Sequence, residues 1–236
     1  MLNDLELTGR ARTHVVQRDD LGAAVHPEAL AAFLEMKHEA LKDGIELDIA
    51  SSFRDFDAQL RIWNMKYRGE RPLYDRDGNT LDYTRLTPRE IVDSILCWSA
   101  LPGASRHHWG TDIDVIDRAA MHAGYRVELL PHEYAHGGVF HRLNEWLQRR
   151  AVEFGYFRPY AAYSGGFFPE PWHLSFARVS TPALDLLTED LVAAAVEQGG
   201  VLGAEFVVGR LPEIFQRYVR NICAPGHPAA EGVASR

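Results

Sequence analysis

The sequence predicts an α+β fold, a small antiparallel sheet flanked by helices, followed by a C-terminal helical extension. Three observations predict it. Helical and strand patterns are mixed without the regular alternation that builds a parallel sheet. The strand candidates are short and separated by turn-forming residues. Beyond Ser180 only helical patterns remain.

Taken in order, residues 27–42 place Leu30, Phe33, Leu34 and Leu41 at helical spacing, with Pro27 at the start and Gly44 just past the end. Residues 46–50 alternate as a short strand. Residues 55–67 return to helical spacing through Leu60, Ile62 and Trp63. A polar stretch follows, with a turn at Asp77-Gly78-Asn79. Thr87-Pro88-Arg89-Glu90 is a helix start, with Thr87 as N-cap and Glu90 closing a capping box; that helix is expected to reach Trp98. Residues 111–116 alternate as a strand, 117–138 read as a long irregular loop, 139–154 as a helix and 173–178 as a strand. Thr181-Pro182 opens a helix through Glu197, and a last helix is expected over 204–222. We therefore divide the chain into a unit that carries the chemistry, 1–180, and a helical extension, 181–236, packed on it or used as a dimer contact. The segment after Pro225 is expected to be disordered.

Composition narrows the function classes. The 236 residues are 46% hydrophobic and 25% charged, enough apolar material for a core. A net charge of −8 argues against a general nucleic-acid binder, which needs a clustered basic face. Cys97 and Cys223 are too few for a cysteine-rich zinc site and are expected to be unpaired and buried. No apolar run is long enough to span a bilayer. Met1-Leu2-Asn3-Asp4-Leu5-Glu6 lacks the pattern of a signal peptide, so a cytoplasmic location is expected; a trimmed chain would leave the periplasm open. The oligomeric state is left open.

The eleven histidines prompt a search for a metal site. The richest segment is Ser105-Arg106-His107-His108-Trp109-Gly110-Thr111-Asp112-Ile113-Asp114, and the second is Glu170-Pro171-Trp172-His173. Hydrolytic zinc takes three protein ligands from His, Asp or Glu and keeps a position for water. If the strands bearing Asp114 and His173 are neighbours, His107, Asp114 and His173 converge from one face. Such an ion makes water a nucleophile near neutrality. Glu170, three residues before His173, is placed to take its proton.

These motifs resemble the LAS metallopeptidases (lysostaphin, D-Ala-D-Ala carboxypeptidases and hedgehog), and among them the VanY-type D-alanyl-D-alanine carboxypeptidases. The first family motif, Ser-x-His-x-x-Gly-x-Ala-x-Asp, is met at Ser105, His107, Gly110 and Asp114, with Asp112 in place of the alanine. The second, Glu-x-Trp-His, is met at Glu170, Trp172 and His173. A third match is Phe53-Arg54, with Gln59 five residues beyond the arginine. The similarity covers roughly residues 26–180 and implies a hedgehog/D,D-peptidase-like fold, Zn2+ as cofactor, and peptidoglycan peptides or muropeptides as substrates. It implies that Arg54 steadies the scissile carbonyl or the substrate carboxylate, and that Gln59 and Ser105 help hold the C-terminal carboxylate. It implies D,D-carboxypeptidase activity. L,D-carboxypeptidase or D-Ala-D-Ala dipeptidase activity on the same scaffold stays open, and so does a non-catalytic, zinc-retaining binding module. A missing signal peptide would suit recycling of wall peptides inside the cell.

Several residues also fit plainer roles. Trp172 suits the core as well as a substrate-binding pocket wall. Arg54 has Asp55 and Asp57 as nearby salt-bridge partners. His108 is expected behind the site or at the surface, and Asp117 as a strand-end cap. Asp112 shares a face with Asp114 and would add negative charge near the metal. His132-Glu133-Tyr134-Ala135-His136 fits the H-E-x-x-H zincin pattern, but Pro131 before it and Gly137-Gly138 after it leave barely one helical turn. It is expected to be a loop near the cleft mouth.

Overall fold

The helix over Pro27–Lys42 forms at the expected bounds, because Pro27 occupies its first turn and His26 accepts from the Glu28 N–H as N-cap. The structure is a computed structural model that describes residues 1–226; of the segment expected to be disordered, residues 227–236 lie outside the described residues. In chain order the elements are α1 (Asp4–Leu7), β1 (Val16–Arg18), β2 (Ala23–Val25), α2 (Pro27–Lys42), β3 (Leu47–Ser51), α3 (Phe56–Tyr67), α4 (Pro88–Leu96), β4 (Asp112–Asp117), α5 (Pro131–Tyr134), α6 (His141–Arg150), β5 (Tyr156–Phe157), β6 (His173–Phe176), α7 (Ala177–Leu186), α8 (Glu189–Gln198), α9 (Ala204–Val208) and α10 (Leu211–Ile214). The fold is α+β, as expected. A two-stranded hairpin, β1–β2, was not legible in the pattern.

The main sheet is antiparallel, in the order β3-β4-β6-β5. Ile113, Val115 and Leu174 lie in a core with Phe33 and Met36 of α2 and Leu143 and Trp146 of α6. A second core gathers Trp63 of α3, Val92 and Ile95 of α4, and Val192, Val207 and Ile214 of the C-terminal helices. The Trp63 indole donates to the Leu202 carbonyl at 2.9 Å, and Asn64 bonds Gly200 and Leu202, so the C-terminal helices brace α3.

Several elements depart from their expected bounds. α4 ends at Leu96 rather than at Trp98; the Trp98 indole turns instead to the Asp75 carbonyl at 3.1 Å. α7 starts at Ala177, directly after β6, and carries Pro182 inside it. The proline forgoes one helical hydrogen bond, and the expected division at 180/181 falls within this helix. The last expected helix is broken into α9, α10 and a π-helical turn over Phe215–Arg220, with Gly209 and Pro212 at the break. Cys97 and Cys223 are free but half-buried, not buried as expected. Among the described residues no helix is long and apolar enough to cross a membrane.

Gly110 is the glycine on which the site rests. Its φ is +65°, and a Cβ there would meet Val15 Cγ1 at 2.3 Å and the His26 backbone nitrogen at 3.0 Å. The left-handed backbone alone costs a non-glycine residue about 1–2 kcal/mol, and the collision adds to it. Gly110→Ala is expected to lower unfolding free energy by at least about 1 kcal/mol, read as a shift in the urea midpoint. An unmoved midpoint would show that the turn tolerates a side chain.

Candidate metal-binding active site

Strand register brings the first pair of motif residues together. β4 runs between β3 and β6, with Asp114 opposite His173 on one side and Ser51 on the other. Directly paired residues project from the same face, so Asp114 and His173 meet. Asp112, two residues earlier on that face, pairs with Ser175. His107 arrives from the 3-10 turn Arg106–Trp109, which ends at Gly110. That turn is tied to the segment after β3: Arg54 N–H donates to the His107 carbonyl at 3.2 Å, and His107 Nδ1 donates to the Ser52 carbonyl at 2.9 Å.

The three side chains form a cluster whose potential ligand atoms all lie within 4.8 Å of one another. His107 Nε2 is 3.4 Å from Asp114 Oδ2, and His173 Nδ1 is 3.1 Å from Asp114 Oδ1. The last approach lacks hydrogen-bond geometry, so Asp114 Oδ1 is buried without a partner. A buried carboxylate oxygen without a partner is costly, and a cation would satisfy it. Each imidazole spends its other nitrogen behind the site: His107 Nδ1 on Ser52, His173 Nε2 on Asp112 Oδ1 at 3.0 Å. This leaves Nε2 of His107 and Nδ1 of His173 facing Asp114. The donor set therefore fits a zinc ion.

Charge is distributed unevenly over the cluster. Burial, helped by the Arg54 guanidinium, pushes His107 down to about 3 and keeps it neutral. Burial also opposes a charged His173, but Asp112 and Asp114 outweigh it and raise that imidazole to about 9. Burial raises the Glu170 carboxyl to about 7 against the pull of His173. Glu170 Oε2 is 3.5 Å from His173 Nδ1 and so stands beside the cluster.

Asp112 is fully buried and sits in a network. Its Oδ1 also accepts from Arg106 Nε at 2.8 Å, and its Oδ2 accepts from the Thr111 and Ser175 hydroxyls at 2.7 and 3.1 Å. Arg106 Nη2 in turn donates to Ser175 Oγ at 2.6 Å. The charge added at position 112 is thus balanced by Arg106 and spent on orienting His173. Burial works against the Asp112 carboxylate, but Arg106 and His173 hold it well below the usual carboxylate range.

The cluster opens into a cavity of about 200 Å³ whose wall includes Arg54, Ser105, Glu170 and Trp172. Trp172 is buried and also lines the cavity: it stacks on Trp98 at 6.2 Å and packs against Tyr134. Arg54 makes no ion pair among the described residues; Asp55 caps α3 through the Ala58 N–H instead. Burial lowers the Arg54 guanidinium, while Asp114 and Glu170 counter that effect. Ser105 faces the cavity and makes no side-chain capping bond. Gln59 departs from the expectation of a substrate contact. It is fully buried, accepts from Arg54 Nη1 at 3.0 Å and donates to the Ala100 carbonyl at 2.7 Å. With both ends of its amide engaged, it holds Arg54 from behind.

His108 is buried, not at the surface; it donates through Nδ1 to the Arg54 carbonyl at 2.6 Å and accepts from Gly103 N–H. Asp117 caps as expected, accepting from the Ala119 N–H at 3.0 Å. Among the described residues, the side chains of the zincin-like segment do not gather into a metal-binding cluster. α5 is a single turn, His132 is exposed, and Glu133 accepts from the Tyr125 hydroxyl and from the Glu128 and Leu130 N–H groups. Glu133 thereby anchors the loop that carries Glu128, Leu129 and Leu130 into the cavity wall. Sequence reasoning missed Tyr160, whose ring lies 5.0 Å from His173, and Lys66 and Ser99 on the same wall. They come from three separate segments, and no local motif marks them.

The model of the family VanY, D-alanyl-D-alanine carboxypeptidase, matches residues 22–179, which include every residue of the cluster. The chain belongs to the VanY family. Two uncharacterized proteins of Haemophilus influenzae (strain ATCC 51907 / DSM 11121 / KW20 / Rd) are relatives. One is 41% identical over 98 residues, 40% of this chain and 67% of that protein. The other is 30% identical over 128 residues, 53% of this chain and 95% of that protein. Among solved structures, VanYB in complex with D-Alanine-D-Alanine superposes with a TM-score of 0.51 at 18% identity, over 82% of this chain and 87% of that one. A mutant of the vancomycin resistance D,D-pentapeptidase VanY from a VanB-type resistance cassette, in complex with Zn(II), gives 0.51 at 17% identity, over 84% and 92%. These likenesses show that the chain has the VanY fold.

Proposed function

We propose that this VanY-family chain is a zinc-dependent D,D-carboxypeptidase that releases the C-terminal D-amino acid of peptidoglycan-derived peptides. The observation that carries the reading is the buried His107–Asp114–His173 cluster with a free carboxyl, Glu170, at its edge. His107, Asp114 and His173 would hold the ion. When bound, it would polarise the scissile carbonyl and acidify the attacking water.

The remaining work falls to the chain's own side chains. Glu170 takes the proton of the water and returns it to the leaving amine; a carboxyl raised to about 7 serves both directions near neutrality. Arg54, fixed by Gln59 and by the His108 ring on its carbonyl, offers its guanidinium to the charge that develops on the carbonyl oxygen. Trp172 and Tyr160 shield the reacting atoms from bulk water. Asp112 keeps His173 in register.

The test is digestion of defined muropeptides by zinc-loaded protein, followed by mass spectrometry. The expected result is loss of one terminal D-alanine from a pentapeptide stem and none after chelation. Trimming of the tetrapeptide instead would make the enzyme an L,D-carboxypeptidase, and cleavage of free D-Ala-D-Ala a dipeptidase. No cleavage of any of them would leave a zinc-retaining binding module.

A further inference from the structure

The cavity wall carries a cation that the reaction above does not use. Lys66, on the last turn of α3, is half-buried, and its ammonium donates to Ser99 Oγ at 2.7 Å. Among the described residues it forms no ion pair. The other cations of the wall are differently placed. Arg106 is committed to Asp112, Arg54 is clamped by Gln59 and held near Asp114 and Glu170, and Arg71 is exposed. Burial lowers the Lys66 ammonium to about 8; Glu170 favours its charge, and Arg54 and Arg71 oppose it. A cation sunk in a wall with no carboxylate partner is unfavourable until an anion arrives.

An exopeptidase must recognise a free carboxylate within one residue of the bond it cuts. Of the two expected receptors, Gln59 has both ends of its amide engaged and does not line the cavity, and Ser105 lines it but offers a neutral hydroxyl with no charge to match the carboxylate. Lys66 keeps two further N–H donors, and Ser99 keeps its own O–H, since it accepts from Lys66. We propose that the Lys66–Ser99 pair is the receptor for the substrate's C-terminal carboxylate and so makes the site an exopeptidase. The assignment rests on the carboxypeptidase reading for its substrate, but it makes a claim about binding that turnover does not decide. Lys66 is a specificity residue, distinct from the groups that hold the metal or move the proton.

The test is calorimetric binding of N-acetyl-D-alanyl-D-alanine and of its C-terminal amide, in a Glu170→Gln background so that the ligand survives. A charge-assisted contact of this kind is expected to favour the acid over the amide by about 10- to 100-fold. Lys66→Met is expected to weaken binding of the acid by that same factor while changing the amide less than about threefold. Lys66→Arg should restore part of the selectivity, and unchanged zinc content and far-UV circular dichroism will show that the variants fold. Equal losses for acid and amide would assign Lys66 a general structural role and overturn the proposal. So would undiminished acid selectivity in Lys66→Met, which would move the receptor to Ser105 or Arg54. If acid-selective binding depends on Lys66 but the wild-type protein cleaves no muropeptide, the carboxylate receptor stands and the catalytic reading fails.

Discussion

Glu170→Gln is expected to keep its zinc and lose its turnover. Glu170 touches the cluster only through a 3.5 Å approach to His173 and is not among the three converging side chains. The amide preserves volume and polarity in a buried wall position but cannot accept and return a proton. General acid–base groups contribute about 10²- to 10⁴-fold to rate, so kcat on a pentapeptide stem should fall by at least about 100-fold. Zinc content, measured by atomic absorption after dialysis, should stay near one per chain. The control is Glu133→Gln in the H-E-x-x-H segment. Glu133 accepts three hydrogen bonds that shape the wall loop, so its loss should lower the melting temperature and raise KM while leaving proton transfer intact. Turnover that survives at Glu170 and vanishes at Glu133 would reverse the assignment.

Asp112→Ala should damage the protein twice. Arg106 is 3% exposed and its Nε pairs with Asp112, so the variant strands a buried guanidinium. Breaking a buried pair from one side costs about 3–5 kcal/mol, visible in denaturant titrations of the metal-free protein. The same change removes the acceptor for His173 Nε2. Loss of such a carboxylate partner typically costs about 10- to 100-fold in metal affinity, measurable by competition with a chelating indicator. The double variant Arg106→Leu/Asp112→Ala separates the two effects. Removing both charges should return most of the stability, whereas zinc affinity should remain low because His173 is still unsupported. Recovery of zinc affinity in the double variant would show that Asp112 serves Arg106 and not the histidine.

The two substitutions probe different depths of legibility. The residues of the cluster could be read because two motifs hold them within short segments: His107 to Asp114 spans one turn and one strand, and Glu170 to His173 one strand entrance. Alternation along 111–116 placed Asp112 and Asp114 on one face, which the register with Ser175 and His173 bears out. The purpose of Asp112 was not readable. Its partners Arg106 and Ser175 are buried with it only once β4 and β6 pair, and a carboxylate that looked like excess charge becomes a neutralised prop. Gln59 shows the converse. It sits in a motif, yet packing of α3 beneath Ala100 engages both ends of its amide. Helix starts with proline or a capping box, at Pro27 and Thr87, were legible because capping is local. The ends of α4 and α7 were not, because Trp98 and the β6–α7 junction answer to distant partners.

By itself, then, the amino-acid order determined the α+β class and the two local motifs, residues 105–114 and 170–173, since each motif depends on spacing over no more than about ten residues; that Asp114 and His173 meet was decided by the pairing of β4 with β6. Tertiary structure alone also decided what surrounds the cluster: the Asp112–Arg106 support, the retreat of Gln59 behind Arg54, and the meeting of Lys66, Ser99 and Tyr160 on one cavity wall. Those residues come from separate elements, and burial and hydrogen-bond competition, which act only between packed elements, give them their roles.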